Sequence, residues 1–192
     1  MRVVLVPHGR PPYLSPMQPS LTLLTTFLTL GLLVGITAAR AQGAGPARPA
    51  VPKSIGKFDA WQAATHQEGG QLVCYAFTRA TASTPALPGR GDVVLTVTHR
   101  ISGRDAVAVT AGFAYPPGAE VQVAVEPAQL QFYTSNRSAF SRDGKAAVTA
   151  FGRGRQAVAK SPGPRNAAVS DTFSLRGFSQ AYAAINKACP AK

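Results

Sequence analysis

Acidic residues are scarce in this sequence, and so are the side chains that usually announce chemistry. Its 192 residues carry 8 Asp plus Glu against 20 Lys plus Arg, with two cysteines, one tryptophan and three histidines. There is no Cys-x-x-Cys pair, which argues against a thioredoxin-type redox site. There is no Gly-x-Ser-x-Gly elbow and no His-Glu-x-x-His pair, the local signatures of common serine and zinc hydrolases. Gly152-Arg153-Gly154-Arg155 lacks the Lys-Ser/Thr ending of a phosphate loop. It reads instead as a helix end followed by a close approach to the next strand. No internal repeat is visible, and no metal or cofactor is expected.

Histidine offers little more. His66 sits in the polar stretch Thr65-His66-Gln67-Glu68, and His99 ends an apolar run beside Arg100. A zinc site needs three or four ligands, usually with local spacing. Only Glu68 follows His66 at such a spacing, so both histidines are expected to be solvated or capping residues. A Ser–His–Asp triad could be assembled from many residues in three dimensions, but nothing in the sequence selects one.

What the sequence does contain is a packed core and an export signal. Hydrophobic residues make up 45% of the chain, enough for one globular domain. Leu21 to Thr37 is an uncharged, largely apolar run, preceded by Arg2 and Arg10 and followed by Ala39-Arg40-Ala41. Small residues at Ala39 and Ala41 match the preference of signal peptidase, so residues 1–41 are expected to be a signal peptide cleaved after Ala41. The alternative is an uncleaved membrane anchor, although the run is short for a span. Met17 is an alternative start. Removing 1–41 takes three of the basic residues and no acid. Residues 42–54, rich in Gly, Ala and Pro, read as a flexible leader.

The expected domain is 55–192. Trp61, the only tryptophan, is a candidate core anchor. Short β-branched and aromatic runs follow at 71–78, 92–99, 105–115, 119–125, 129–134 and 155–160. Most alternate, as Val121, Val123 and Val125 do against Glu120, Gln122 and Ala124. Strands of this length and spacing predict a mainly β, single-domain sandwich or barrel-like fold. A short internal helix is expected over 143–151, and Ser161-Pro162-Gly163-Pro164 is expected to be a turn. The closing element is a strand over 171–176 that turns at Gly177 into a helix. Phe178, Tyr182, Ile185 and Cys189 fall on one face of that helix, and Pro190 stops it.

Cys74 and Cys189 both lie in the expected mature chain. Two thiols in an exported protein most often pair, which would tie the C-terminal helix to the strand carrying Cys74. A reactive thiol is the alternative. Basic charge gathers between Arg137 and Arg165, where Asp143 is the sole acid. A solvated face is one reading. The other is an anion-binding patch centred on Arg153, Arg155 and Lys160, contacting an anionic component of the cell envelope. Within that stretch only Phe140 and Phe151 could stack on bases, which argues against nucleic acid.

The landmarks also form an ordered set. Phe58-Asp59-Ala60-Trp61, Cys74-Tyr75-Ala76, Val97-Thr98-His99-Arg100, Ala111-Gly112-Phe113, Ala150-Phe151-Gly152-Arg153-Gly154, Phe173-Ser174-Leu175-Arg176-Gly177-Phe178 and Cys189-Pro190 follow one another along residues 55 to 190. This set resembles the invasion-associated locus B family of bacterial envelope proteins. One departure is Ala139-Phe140, where a tryptophan is expected. The resemblance implies export and a mostly β fold, and it supplies no catalytic residue or cofactor. The expected function is a non-enzymatic periplasmic or surface binding module, with an unidentified envelope component as partner and membrane contact only through an uncleaved signal peptide. The alternative is a periplasmic hydrolase whose site is assembled only in the fold. A cleft gathering His66 or His99 with a carboxylate and a hydroxyl would favour the hydrolase.

Overall fold

The computed structural model describes residues 51–191. The expected signal peptide, its cleavage point and most of the leader lie outside them. The strands are β1 (Lys53–Phe58), β2 (Trp61–Glu68), β3 (Gln71–Arg79), β4 (Ala82–Thr84), β5 (Val94–Arg100), β6 (Gly103–Thr110), β7 (Glu120–Val125), β8 (Ala128–Ser135), β9 (Ser138–Ser141), β10 (Gln156–Pro162) and β11 (Ala168–Ser174). Helix α1 (Gly144–Arg153) precedes β10, and α2 (Phe178–Ala188) closes the fold. Lys53 and Ser54 pair with Thr65 and Ala64, so the ordered domain starts inside the segment expected to be leader. The turn expected at 161–164 is also displaced. Ser161 and Pro162 continue β10 opposite Val169 and Ala168, and the reversal begins at Gly163.

All eleven strands belong to one antiparallel sheet, in the order β1-β2-β3-β5-β6-β9-β8-β7-β10-β11-β4. The two halves of this order meet again in sequence. Only Ala80 and Thr81 separate β3 from β4. The Ala80 N–H donates to Val93 O on the β5 side, and the Thr81 N–H donates to Thr172 O in β11. One nearly continuous strand therefore pairs with β5 first and β11 next, closing the sheet on itself. This is the barrel-like branch of the sequence expectation, and it leaves no free edge in the ring. β1 and β2 extend the sheet beyond β3.

Strand alternation sets the core. Leu95, Val97 and His99 share one face of β5, and Val169, Asp171 and Phe173 share one face of β11; all six are buried. Of the pair Ala139-Phe140, where a tryptophan is expected, Ala139 is buried on the inward face of β9 while Phe140 is partly exposed and stacks on Tyr133. α2 packs across β1, β2 and β3. Trp61 anchors it: its indole N–H donates to Ser174 O at 2.9 Å, and its ring meets Phe178 edge-on at 4.9 Å. Phe178, Ala181 and Ile185 are buried beneath the helix. Gly177 has φ 84°, and a Cβ there would overlap the Phe58 carbonyl oxygen, so a side chain is excluded twice over. The disulfide between Cys74 and Cys189 fastens the far end of α2 to β3.

Candidate functional site

Three groups of polar side chains stand out, and the first is the expected anion site. Asp143 caps α1 by accepting the Ala146 N–H at 2.9 Å, and Gly154 ends the helix by donating to Ala150 O. A Cβ at Gly154 would strike the Val125 side chain, so glycine lets the helix end close onto β7. Arg153 and Arg155 flank this glycine. Both are exposed and line one open cleft of about 460 Å³ with Glu126 and Gln156. Among the described residues neither forms an ion pair. Lys160 does not join them. It lines a different cleft, of about 570 Å³, together with Glu120. Lys145 takes its place, sharing a third cleft with Arg153. The basic run is therefore not one converged face. Arg137 donates to Gly112 O at 2.6 Å, and Arg142 pairs with Glu120 at 2.8 Å.

The second group lies under the C-terminal half of α2 and corrects the expectation for His99. This side chain is fully buried, neither solvated nor capping, because its strand parity places it on the inward face. Its Nδ1 accepts the Asp105 backbone N–H at 3.2 Å, so the proton sits on Nε2, which faces Asn186 Oδ1 at 3.1 Å. Arg104 also donates to Asn186 Oδ1 and to the Cys189 carbonyl oxygen. The Tyr182 hydroxyl donates to Asp105 Oδ1 at 2.7 Å, and its ring meets His99 edge-on. Burial pushes the His99 pKa down, and the Arg104 charge pushes it further the same way. Burial and the bond to Asp105 push the Tyr182 hydroxyl up. The result is a neutral imidazole with both nitrogens committed. His66, by contrast, is partly exposed, stacks edge-on against Tyr75 and lies 3.9 Å from Glu68. No third His, Cys, Asp or Glu joins that pair among the described residues.

The third group was not singled out from the sequence. Arg90 forks onto Asp171 at 2.8 and 2.7 Å, donates to Ala111 O at 2.6 Å and lies over the Phe113 ring. Both charges are almost wholly buried. Burial, and next the nearby Asp171 charge, push the Tyr115 hydroxyl up to about 12. Arg90 lies in an irregular loop, so no periodic signal marks it. Asp171 carries a readable one, an acid at the inward parity between Val169 and Phe173. Asn186, Arg104 and Asp105 were likewise missed, since each becomes notable only once His99 is known to be buried.

Residues 61–186, nearly all of the ordered domain, match the invasion associated locus B (IalB) protein family. The chain belongs to that family. Among solved structures, the crystal structure of invasion associated protein B from Bartonella henselae is similar, with a TM-score of 0.53 at 16% identity, covering 72% of this chain and 96% of that one. At this identity the likeness speaks for a shared fold. No curated protein matches the sequence. Within the IalB region lie Trp61, Cys74, His99 and Asp171, whereas Cys189 falls just beyond its end.

Proposed function

We propose that this IalB-family chain is an exported, non-enzymatic binding module of the bacterial envelope, acting in the periplasm or at the cell surface. Its contact surface in this reading is the cleft between Arg153 and Arg155, and its partner is an anionic envelope component. The observation that carries the proposal is the pair of exposed guanidinium groups, without ion-pair partners among the described residues, held on either side of Gly154 at a helix end packed closely on β7. Each guanidinium can fork onto phosphate or carboxylate. The Cys74–Cys189 bond suits an oxidising compartment, which supports export.

The hydrolase reading draws on His99, which does meet a carboxylate and a hydroxyl. Its imidazole is fully buried under α2, however, and both ring nitrogens are committed to internal hydrogen bonds. We therefore favour binding. The test is retention on envelope vesicles across a salt series. Wild type should bind and should be released as salt rises, because attraction between exposed charges is screened within about 8 Å at physiological salt. The Arg153→Glu/Arg155→Glu variant should keep its melting temperature and lose retention. Equal retention of both proteins would leave the arginines as a solvated face.

A further inference from the structure

Exposed aliphatic side chains cluster at one place remote in sequence from Arg153. The β2–β3 and β5–β6 hairpins reach the same end of the sheet, because β3 and β5 are neighbours with Cys74 opposite His99. Each tip carries a large apolar side chain in solvent. Leu72 is 41% exposed and Ile101 is 55% exposed. With the C-terminal end of α2 they form a groove of about 670 Å³, whose lining includes Leu72, Ile101, Ala188 and Pro190 together with Arg100 and Arg104. It shares no residue with the Arg153–Arg155 cleft.

We propose that this groove binds a single-chain carboxylate amphiphile, a fatty acid in its simplest form. The volume lies within the range of small-molecule sites. The lining combines aliphatic side chains with two guanidinium groups, the chemistry an acyl chain with an anionic head requires. Among the described residues the Arg100 side chain is engaged only by Glu68, at 2.9 Å, and both side chains are about half exposed. An exposed pair of this kind is held weakly and can yield to a ligand carboxylate. Arg104 commits two of the five N–H donors an arginine carries, to Asn186 and Cys189. An extended peptide fits less well. β3 and β5 are each paired on both sides, so neither offers a strand edge for backbone pairing.

The experiment is titration of the purified protein with dodecanoate below its micellar concentration, followed calorimetrically. Saturable binding of one equivalent is expected. Each fully buried methylene multiplies affinity by roughly fourfold. Octanoate should therefore bind at least about tenfold more weakly, even in an open groove. Dodecyltrimethylammonium should bind far more weakly than dodecanoate if the arginine edge matters. Leu72→Asp/Ile101→Asp should abolish binding, whereas Arg153→Glu/Arg155→Glu should leave it intact, which separates this site from the anionic contact proposed above. A photoreactive dodecanoate gives a readout that does not depend on the variants folding, and its label should fall within 70–72, 100–104 or 188–191. No saturable binding, equal binding of the cationic amphiphile, label elsewhere, or attachment only to lipid vesicles without uptake of free dodecanoate would overturn the proposal.

Discussion

Strand β6 runs between two polar clusters that solve the same problem differently. Near its start, Asp105 meets His99, Tyr182, Asn186 and Arg104 under α2, and the disulfide closes that end covalently. Just past its end, Ala111 accepts from Arg90, and a buried ion pair with Asp171 closes the other. The first cluster contains a neutral imidazole and is held shut from outside by a bond that oxidation must make. The second is charged and needs no chemistry to form, yet each partner depends on the other to offset the cost of losing water. Stability at the α2 end is therefore conditional on the compartment, whereas at the Arg90 end it is conditional on pairing.

The sharpest way to break this comparison is to remove the staple. The cysteines are 115 residues apart, and cross-links over loops of that size restrict the unfolded chain by about 4–5 kcal/mol on chain-entropy grounds. That rivals the net stability of a small domain. Cys189→Ala, or reductant on the wild type, should lower the denaturation midpoint by a corresponding amount. Thiol titration of native, air-exposed protein should find no free thiol, and two reactive thiols per chain would refute the staple.

The ionic end should respond next. Asp171→Ala leaves a buried guanidinium without its partner, which costs about 3–4 kcal/mol, within the range for breaking a buried pair. Arg90→Met/Asp171→Leu removes both charges and should recover most of that loss. If the double replacement were as damaging as the single one, the pair would be contributing through geometry that aliphatic side chains cannot supply. Equilibrium urea denaturation of the three proteins decides this.

Much of this architecture was legible beforehand. Alternation gave most of the ring strands, and four-three-four spacing gave α2 with its thiol. Four strands were not seen. β2 reads Trp-Gln-Ala-Ala-Thr-His-Gln-Glu, where the buried positions after Trp61 are two consecutive alanines and a threonine, so the contrast that marks a strand is faint. β4 and β9 are three and four residues long, too short for a period to register. β1 was hidden by small and polar residues that also suit a flexible leader. The basic run misled for another reason. Proximity in sequence gathers Arg137 to Arg165, but α1 and β10 project them into separate clefts, and two of them are consumed by local acceptors. The burial of His99 and Asp171 is readable from strand parity, which overrides the expectation of a solvated or capping His99. Each sits at inward parity with aliphatic or aromatic neighbours, and a titratable residue there has to find a buried partner.

The smallest expected effect distinguishes the two ends by pH. Burial first, and Arg104 next, lower the His99 pKa in the folded protein, opposed by Asp105 and the Asn186 hydrogen bond. In the unfolded chain an imidazole binds its proton near pH 6.5. Above that pH both states are neutral at this position and stability is independent of it. Below it the unfolded state holds a proton that the folded state refuses, so stability falls as pH drops from about 6.5 toward the depressed folded value. The window to examine is therefore about pH 6.5 to 5, where a free imidazole takes up its proton. Melting temperatures measured across that window should decline for the wild type. His99→Gln, although less stable throughout, should show a flatter profile. Protonation would also place a hydrogen on Nδ1 facing the Asp105 N–H, breaking a side-chain bond that supplements the backbone pairing of β5 with β6 at this end. The protection of the Asp105 amide, measured as its exchange rate relative to the intrinsic rate at each pH, should therefore fall at pH 5 while that of the Asp171 amide does not. Equal pH slopes for wild type and His99→Gln would show that the imidazole does not govern the α2 end.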